Sequence, residues 1–420
     1  MEKFEVLNCL KDTLSVLSGI KKDKVVSNLC GIVEYFANPD ITRQIFPEAI
    51  KLYTEICEEL YKKDEFVSLS NYVYNLILYN ENVFSTTCAK NMTEYLSAHV
   101  YDAFKQDVKT LRLLSSIGYE EMISELILNN PDLEDIKDSI PTYSNKIKLN
   151  KDKEIWEDNI NDFVKFYSKN GTGMYAKYYA YMVNGEGDIV PVKFPDKVKL
   201  SDLKLYETQK QKANENVFSF ISGDKYNNVL LYGDRGTGKS SCVKALANEY
   251  ADMGLRIIQI DKDKLKFLSG ILSKLADNPL KFIIFIDDLT FDESDKEINS
   301  LKAVLEGSLT YQPKNVVIYT TSNRKHLVKE TFSAREGDDI HRQDTIDELM
   351  SLSDRFGLII TYQRPSKDIY LEIVNILARE RGIEDSFESL SEKAERFALE
   401  KGFRSPRIAK QFLDFTYKQI

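Results

Sequence analysis

"NNVLLYGDRGTGKSSCVKALANEY", residues 227–250, joins an apolar run to a helical run through a turn with three glycines. Within it "GDRGTGKS", Gly233 to Ser240, matches G-x-x-x-x-G-K-[ST]. Glycines let the backbone curl so that successive amides converge on one phosphate. Lys239 is placed to reach the outer phosphates, and the Ser240 hydroxyl to ligate magnesium. The helix that follows adds the positive end of its dipole. A chance glycine turn is the competing reading. The strand before the loop and the helix after it argue against that, because the motif requires both.

Outward from the loop, short β-branched runs alternate with helical stretches: "NVLLY" (228–232), "RIIQI" (256–260), "FIIFI" (282–286), "VVIYT" (316–320) and "LIITY" (358–362). Near-continuous apolar strands are what a parallel sheet covered on both faces requires. The alternation predicts a doubly wound α/β domain. The third run is followed by Asp287 and Asp288, the first of them 48 residues after Lys239. Open α/β sheets bind ligands at that end of their strands. Asp287 would hold magnesium and Asp288 would polarise an attacking water. The bland alternative is a pair of solvated loop acids.

Three further residues have two readings each. Asn323 follows the fourth run and would hold the lytic water or sense a γ-phosphate; an asparagine turn is equally consistent. Arg355 precedes the fifth run and would serve a neighbouring subunit's nucleotide as a finger, or form a surface ion pair. Arg407 follows Pro406 in the first turn of a helix and would touch the γ-phosphate from a lid, with Arg404 as its competitor. "TSNRKH" is not N-K-x-D, so guanine selectivity is not supported. The charged stretch 332–350, with His341 and Arg342, reads either as an interface loop or as a solvated one.

The rest of the chain is plainer. At 420 residues, 43% hydrophobic and 29% charged, it has material for two or three domains. Residues 1–140 are almost glycine-free and periodic: Ile50, Tyr53, Ile56, Cys57 and Leu60 share one helical face. Residues 1–150 carry 16 basic against 23 acidic side chains, so this helical part suits a protein contact better than nucleic acid. Residues 141–199 read as a linker containing a β-hairpin. "NGTG" at 170–173 lacks a lysine and reads as a turn. The net charge of -9 and the absence of a zinc finger or basic–aromatic stripe give nucleic-acid binding no support. Five scattered cysteines read as reduced thiols, which together with the lack of a signal peptide or membrane span predicts a cytoplasmic protein.

In this order the phosphate loop, acid pair, Asn323, Arg355 and Arg407 resemble the Walker A, Walker B, sensor 1, arginine finger and sensor 2 of the AAA+ ATPases. "IDDLTF" resembles the initiator and helicase-loader branch, and "SPRIAKQFL" the Holliday-junction branch-migration motor. Over about 170–420 the chain is similar to the bacterial AAA+ family known as DUF815, through "NVLLYGDRGTGKSS", "FIDDLTFDE", "LKAVLEGSL", "TSNRKHL" and "SLSDRFGL". The resemblance implies a P-loop NTPase: a five-stranded parallel core over 200–363 and a helical lid over 364–420, behind the all-α N-terminal domain. It implies ATP and Mg2+ as ligands, held by Gly233, Asp234, Arg235, Gly236, Thr237, Gly238, Lys239, Ser240 and Ser241, with Ser240 and Asp287 on the metal. It implies a homo-oligomer in which Arg355 acts in trans. Three activities follow as expectations: an ATPase that remodels a protein client, a slow nucleotide switch or loader, and a DNA-handling motor. The first two recruit their partner through the helical domain.

Overall fold

A computed structural model describes residues 2–37, 46–62, 68–129, 131–143, 155–290, 297–305, 312–323 and 355–417. The chain divides into two compact units, Met1–Lys177 and Tyr178–Ile420.

The first unit is helical. Its helices include Lys24–Ala37, Phe46–Tyr61, Leu69–Leu78, Val83–Ala89, Ala98–Ser115 and Ile160–Asn170. Short polar side chains start several of them: Ser68, Asn82 and Ser97 each accept a backbone N–H of the first turn. The periodic face of Phe46–Tyr61 behaves as its spacing predicts, burying Tyr53, Ile56, Cys57 and Leu60. At "NGTG" the chain turns from the helix Ile160–Asn170 into the short helix Gly173–Lys177, with Gly171 at φ 76° and Gly173 at φ 58°.

The unit runs further than its periodicity indicates. Residues 155–177, expected within the linker, belong to it. Trp156, Ile160, Phe163 and Tyr167 are buried in the helical core. Tyr74 carries the Trp156 and Phe163 rings at 5.1 and 5.3 Å. Arg112 holds Glu157 with two charge-assisted bonds, 2.8 and 2.6 Å. Two prolines and a charge cluster interrupt the pattern near 131–141, but the aromatic residues beyond them return to the same core.

The second unit is built on one seven-stranded sheet, in the order β2-β1-β4-β5-β6-β3-β7. The strands are β1 Ala180–Val183, β2 Ile189–Pro191, β3 Val229–Gly233, β4 Leu255–Gln259, β5 Lys281–Ile286, β6 Val316–Ser322 and β7 Leu358–Tyr362. The five apolar runs are β3 to β7, adjacent and mutually parallel. The expected hairpin is β1–β2. It does not stand apart in a linker, because β1 pairs in parallel with β4 and extends the sheet. The segment before it, Gly173–Lys177, is a short helix, not strand. Every residue of β6 is buried, as a central strand covered on both faces requires.

Three helices, Lys367–Glu380, Phe387–Glu400 and Pro406–Thr416, form the lid. Ser366, Ser386 and Ser405 cap them, and Pro406 occupies the first helical position of the last. Their core holds Tyr370, Ile373, Val374, Ala394, Ile408, Phe412 and Leu413. No described helix is long and apolar enough to cross a membrane.

Trp156 is the only tryptophan, so its fluorescence reports on the helical unit. Phe163→Ala should lower the stability of that transition by roughly 3–5 kcal/mol, the usual cost of emptying a buried aromatic site. A change under about 1 kcal/mol in urea unfolding would place Phe163 outside the core.

Candidate functional site

All five core strands point their carboxyl ends the same way, so residues that follow β3, β5 and β6 meet at one edge. β3 ends at Gly233, whose φ of 142° and position leave no room for a side chain: a Cβ there would lie 1.9 Å from the Tyr362 carbonyl oxygen. Asp234 N–H donates to that carbonyl at 3.2 Å, which locks the start of the loop to the end of β7. Gly236 and Gly238 follow at φ 77° and 97°, in the left-handed region that glycine enters without strain. The Thr237 hydroxyl donates to Asp234 O at 2.9 Å and closes the turn. The helix Lys239–Glu249 then begins.

Lys239 is only 6% exposed. Its ammonium donates to Gly233 O at 2.8 Å, Asp234 O at 2.9 Å and Asn323 Oδ1 at 3.2 Å. Burial pulls its pKa below the ordinary lysine value, and the nearby carboxylates of Asp288, Asp234 and Asp287 oppose that pull. The Ser240 hydroxyl donates to Asp287 Oδ1 at 2.5 Å, and the Thr321 hydroxyl donates to the same oxygen at 2.6 Å. Asp288 adopts φ 50°, uncommon for any residue with a Cβ, and aspartate is among the few that tolerate it. Asn323 Nδ2 donates to Asp288 Oδ1. The Thr321 hydroxyl oxygen also accepts from Asp288 N–H at 2.8 Å, so Thr321 joins Lys239, Ser240, Asp287, Asp288 and Asn323 into one hydrogen-bonded group.

The lid reaches the same edge. Arg407 N–H donates to Gly236 O at 3.3 Å, and a Cβ on Gly236 would meet Ser405 Oγ at 2.8 Å. Of the two competing arginines, Arg404 is taken up by Glu395 through Nε and Nη2, within the lid. Arg407 lines the cavity instead.

That cavity, about 890 Å³, is bordered by Arg235 to Ser241, Asp287, Asp288, Asn323 and Arg407. Arg355 is not at its edge. It is exposed and precedes β7, whose first residue Leu358 pairs with Val229 while Tyr362 pairs with Gly233. Arg355 thus lies past the amino end of a strand spanning about 13 Å, away from its own chain's loop. The stretch 332–350, with His341 and Arg342, is outside the described residues.

Sequence reasoning missed several contributors. Thr321 touches both acids. Arg364, two residues past β7, donates its N–H to Asp234 Oδ2 at 3.1 Å and its guanidinium to Oδ1 at 3.4 Å. Leu203, Leu205, Ile373 and Leu377 supply an apolar wall, and Leu205 and Tyr206 sit at φ 62° and 61°. None has a sequence motif; each is brought in by the fold.

A phosphate loop leaving a parallel β4-β5-β6-β3-β7 core, beneath a three-helix lid, defines the AAA+ class of P-loop fold. Within that class the chain belongs to a particular family: the model of the family described as "Protein of unknown function (DUF815)" matches residues 175–419. Among solved structures, the Thermotoga maritima RuvB Holliday junction branch migration motor matches at 14% identity over 52% of this chain and 72% of that one, with a TM-score of 0.33. A mutant of the same protein matches over the same shares at 14% identity with a TM-score of 0.34.

Gly236→Ala should destabilise the second unit by roughly 1–2 kcal/mol, since a Cβ at left-handed φ is strained. It should also speed hydrogen exchange at the Arg407 amide by pushing the lid off the loop. Unchanged stability and unchanged exchange would contradict the close contact.

Proposed function

We propose that the second unit binds Mg2+·ATP in the cavity between core and lid and hydrolyses it, and that lid movement then drives a conformational change in a protein client. The observation that carries this reading is the single bonded group of Lys239, Ser240, Asp287, Asp288 and Asn323 at the strand ends, with Arg407 facing it from the lid.

Each residue has a task. Amides from Gly233 to Ser241 wrap the phosphates, and Lys239 exchanges its loop carbonyls for phosphate oxygens. The apolar wall of Leu203, Leu205, Ile373 and Leu377 takes the base. A hydroxyl beside a carboxylate is a hard oxygen pair of the kind Mg2+ prefers, so Ser240 and Asp287 fit that ion. Bound there, it would neutralise charge developing on the phosphates. Asp288 accepts a proton from the attacking water, and Asn323 positions that water. Arg407 reaches the outer phosphate and couples its loss to the lid. Arg355, placed before the opposite end of β7 from its own loop, serves the site of a neighbouring copy, so the active form is a homo-oligomer. The acidic helical unit recruits the client, and the protein works in the cytoplasm.

A slow switch is the second reading, and one observation favours it: Asp288, a methylene shorter than glutamate, is already bonded to Asn323. Turnover well above roughly one per minute, against the ~1 s⁻¹ floor typical of enzymes, would exclude it.

Lys239→Ala should abolish nucleotide binding. Arg355→Ala should bind nucleotide normally but lose about 10³-fold or more in turnover, as for other arginine fingers. Mixing the two variants should restore part of the activity, because one supplies an intact site and the other an intact finger. Absence of recovery, with both variants still co-assembling, would remove the trans role.

A further inference from the structure

We propose that Thr321 is a positioning residue that sets both acids of the site, and that its hydroxyl fixes the strength of Mg2+-dependent nucleotide binding. This rests on the Mg2+·ATP reading above.

Thr321 is the sixth residue of β6 and only 2% exposed. β5, its neighbour, ends at Ile286, and the register between them runs from Phe282–Val316 to Ile286–Thr320. Past that point regular pairing stops, yet three hydrogen bonds continue from Thr321 to three successive residues. Its hydroxyl donates to Asp287 Oδ1 at 2.6 Å. The Thr321 hydroxyl oxygen accepts from Asp288 N–H at 2.8 Å. Its carbonyl accepts from Leu289 N–H at 2.8 Å.

The hydroxyl has one proton, and it points at Asp287 Oδ1. Its lone pairs are thereby turned toward the Asp288 amide. One rotor therefore has its orientation determined from both sides, and neither bond can be made without favouring the other. The backbone must turn sharply to bring the Asp288 amide there, and Asp288 does so at φ 50°. A left-handed residue with a Cβ persists where surrounding bonds over-determine it. That turn sends the Asp288 carboxylate toward Asn323 and the Asp287 carboxylate toward Ser240.

The consequence concerns Asp287. Its Oδ1 is held by two hydroxyls, those of Ser240 and Thr321. Ser240 is itself assigned to the ion, so Thr321 is the partner that holds the carboxylate whether or not the ion is bound. Partners that orient a metal's carboxylate ligand commonly change affinity by 10–100-fold when removed. Valine is nearly the shape of threonine and keeps the Leu289 bond, which is to the main chain. Serine keeps the hydroxyl.

The experiment measures fluorescent ADP binding to the full chain, with Mg2+ and with EDTA, in wild type, Thr321→Val and Thr321→Ser. The Mg2+-dependent gain in affinity should fall about 10-fold in Thr321→Val and stay near wild type in Thr321→Ser, while binding in EDTA remains equal in all three. A gain in Thr321→Val equal to wild type would overturn the proposal. So would an equal loss of affinity with and without Mg2+ in either variant, which would mark Thr321 as merely structural. Wild type that binds no ADP under either condition would instead overturn the nucleotide reading itself.

Discussion

The second unit is organised around a buried ammonium. Lys239, 6% exposed, sits where three strands end, and removing a charge from water carries a penalty that only close partners offset. Three oxygens accept from it, two of them carbonyls of its own loop. The loop that carries those carbonyls curls through Gly233, Gly236 and Gly238, at backbone angles that a side chain resists. Three carboxylates add long-range support. An anionic phosphate at this point offers the ammonium a better partner than peptide oxygens do, since charge-assisted bonds are the stronger kind. The site is thus arranged around a positive charge held ready by weaker acceptors.

The position of that charge depends on the sheet. Parallel strands put all carboxyl ends at one edge, and each of the central strands adds one feature there: the loop from β3, the acids from β5, Thr321 and Asn323 from β6. Tyr362 at the end of β7 completes the edge by accepting from Asp234. The same rule separates Arg355, which enters β7 at the other end. Direction of the chain along the strands decides which residues share this edge and which do not.

Much of this was legible in the sequence because the signals are local. Five apolar runs, a glycine loop and two acids after a strand each declare themselves within about ten residues, and strand–helix alternation makes their meeting point predictable. What escaped is non-local. Thr321 reads as one more β-branched strand residue, and only the neighbouring strand makes it a partner to Asp287. Arg364 is an unremarkable charge until β7 and the loop are side by side. Trp156 and Phe163 follow a break in periodicity, so they resemble a linker until the helical core takes them in. The hairpin was recognisable from its turn, but nothing within it reveals that β1 joins β4.

The lid illustrates how geometry chooses between residues of equal chemistry. Arg404 and Arg407 lie three apart and carry the same charge. Arg404 is matched to Glu395 within the lid, a fork-to-carboxylate pair that keeps it there. Arg407 falls in the first turn after Pro406, where the N–H has no partner within the helix and turns to Gly236 O instead. The lid therefore touches the phosphate loop through an amide left over by helix geometry, with the guanidinium of the same residue at the cavity. Any shift of Gly236 acts on that amide directly, and so on the whole helix behind it. Because Phe412 and Leu413 of that helix pack with Tyr370, Ile373 and Val374 of the first lid helix, the disturbance is carried by packed side chains rather than by a flexible tether.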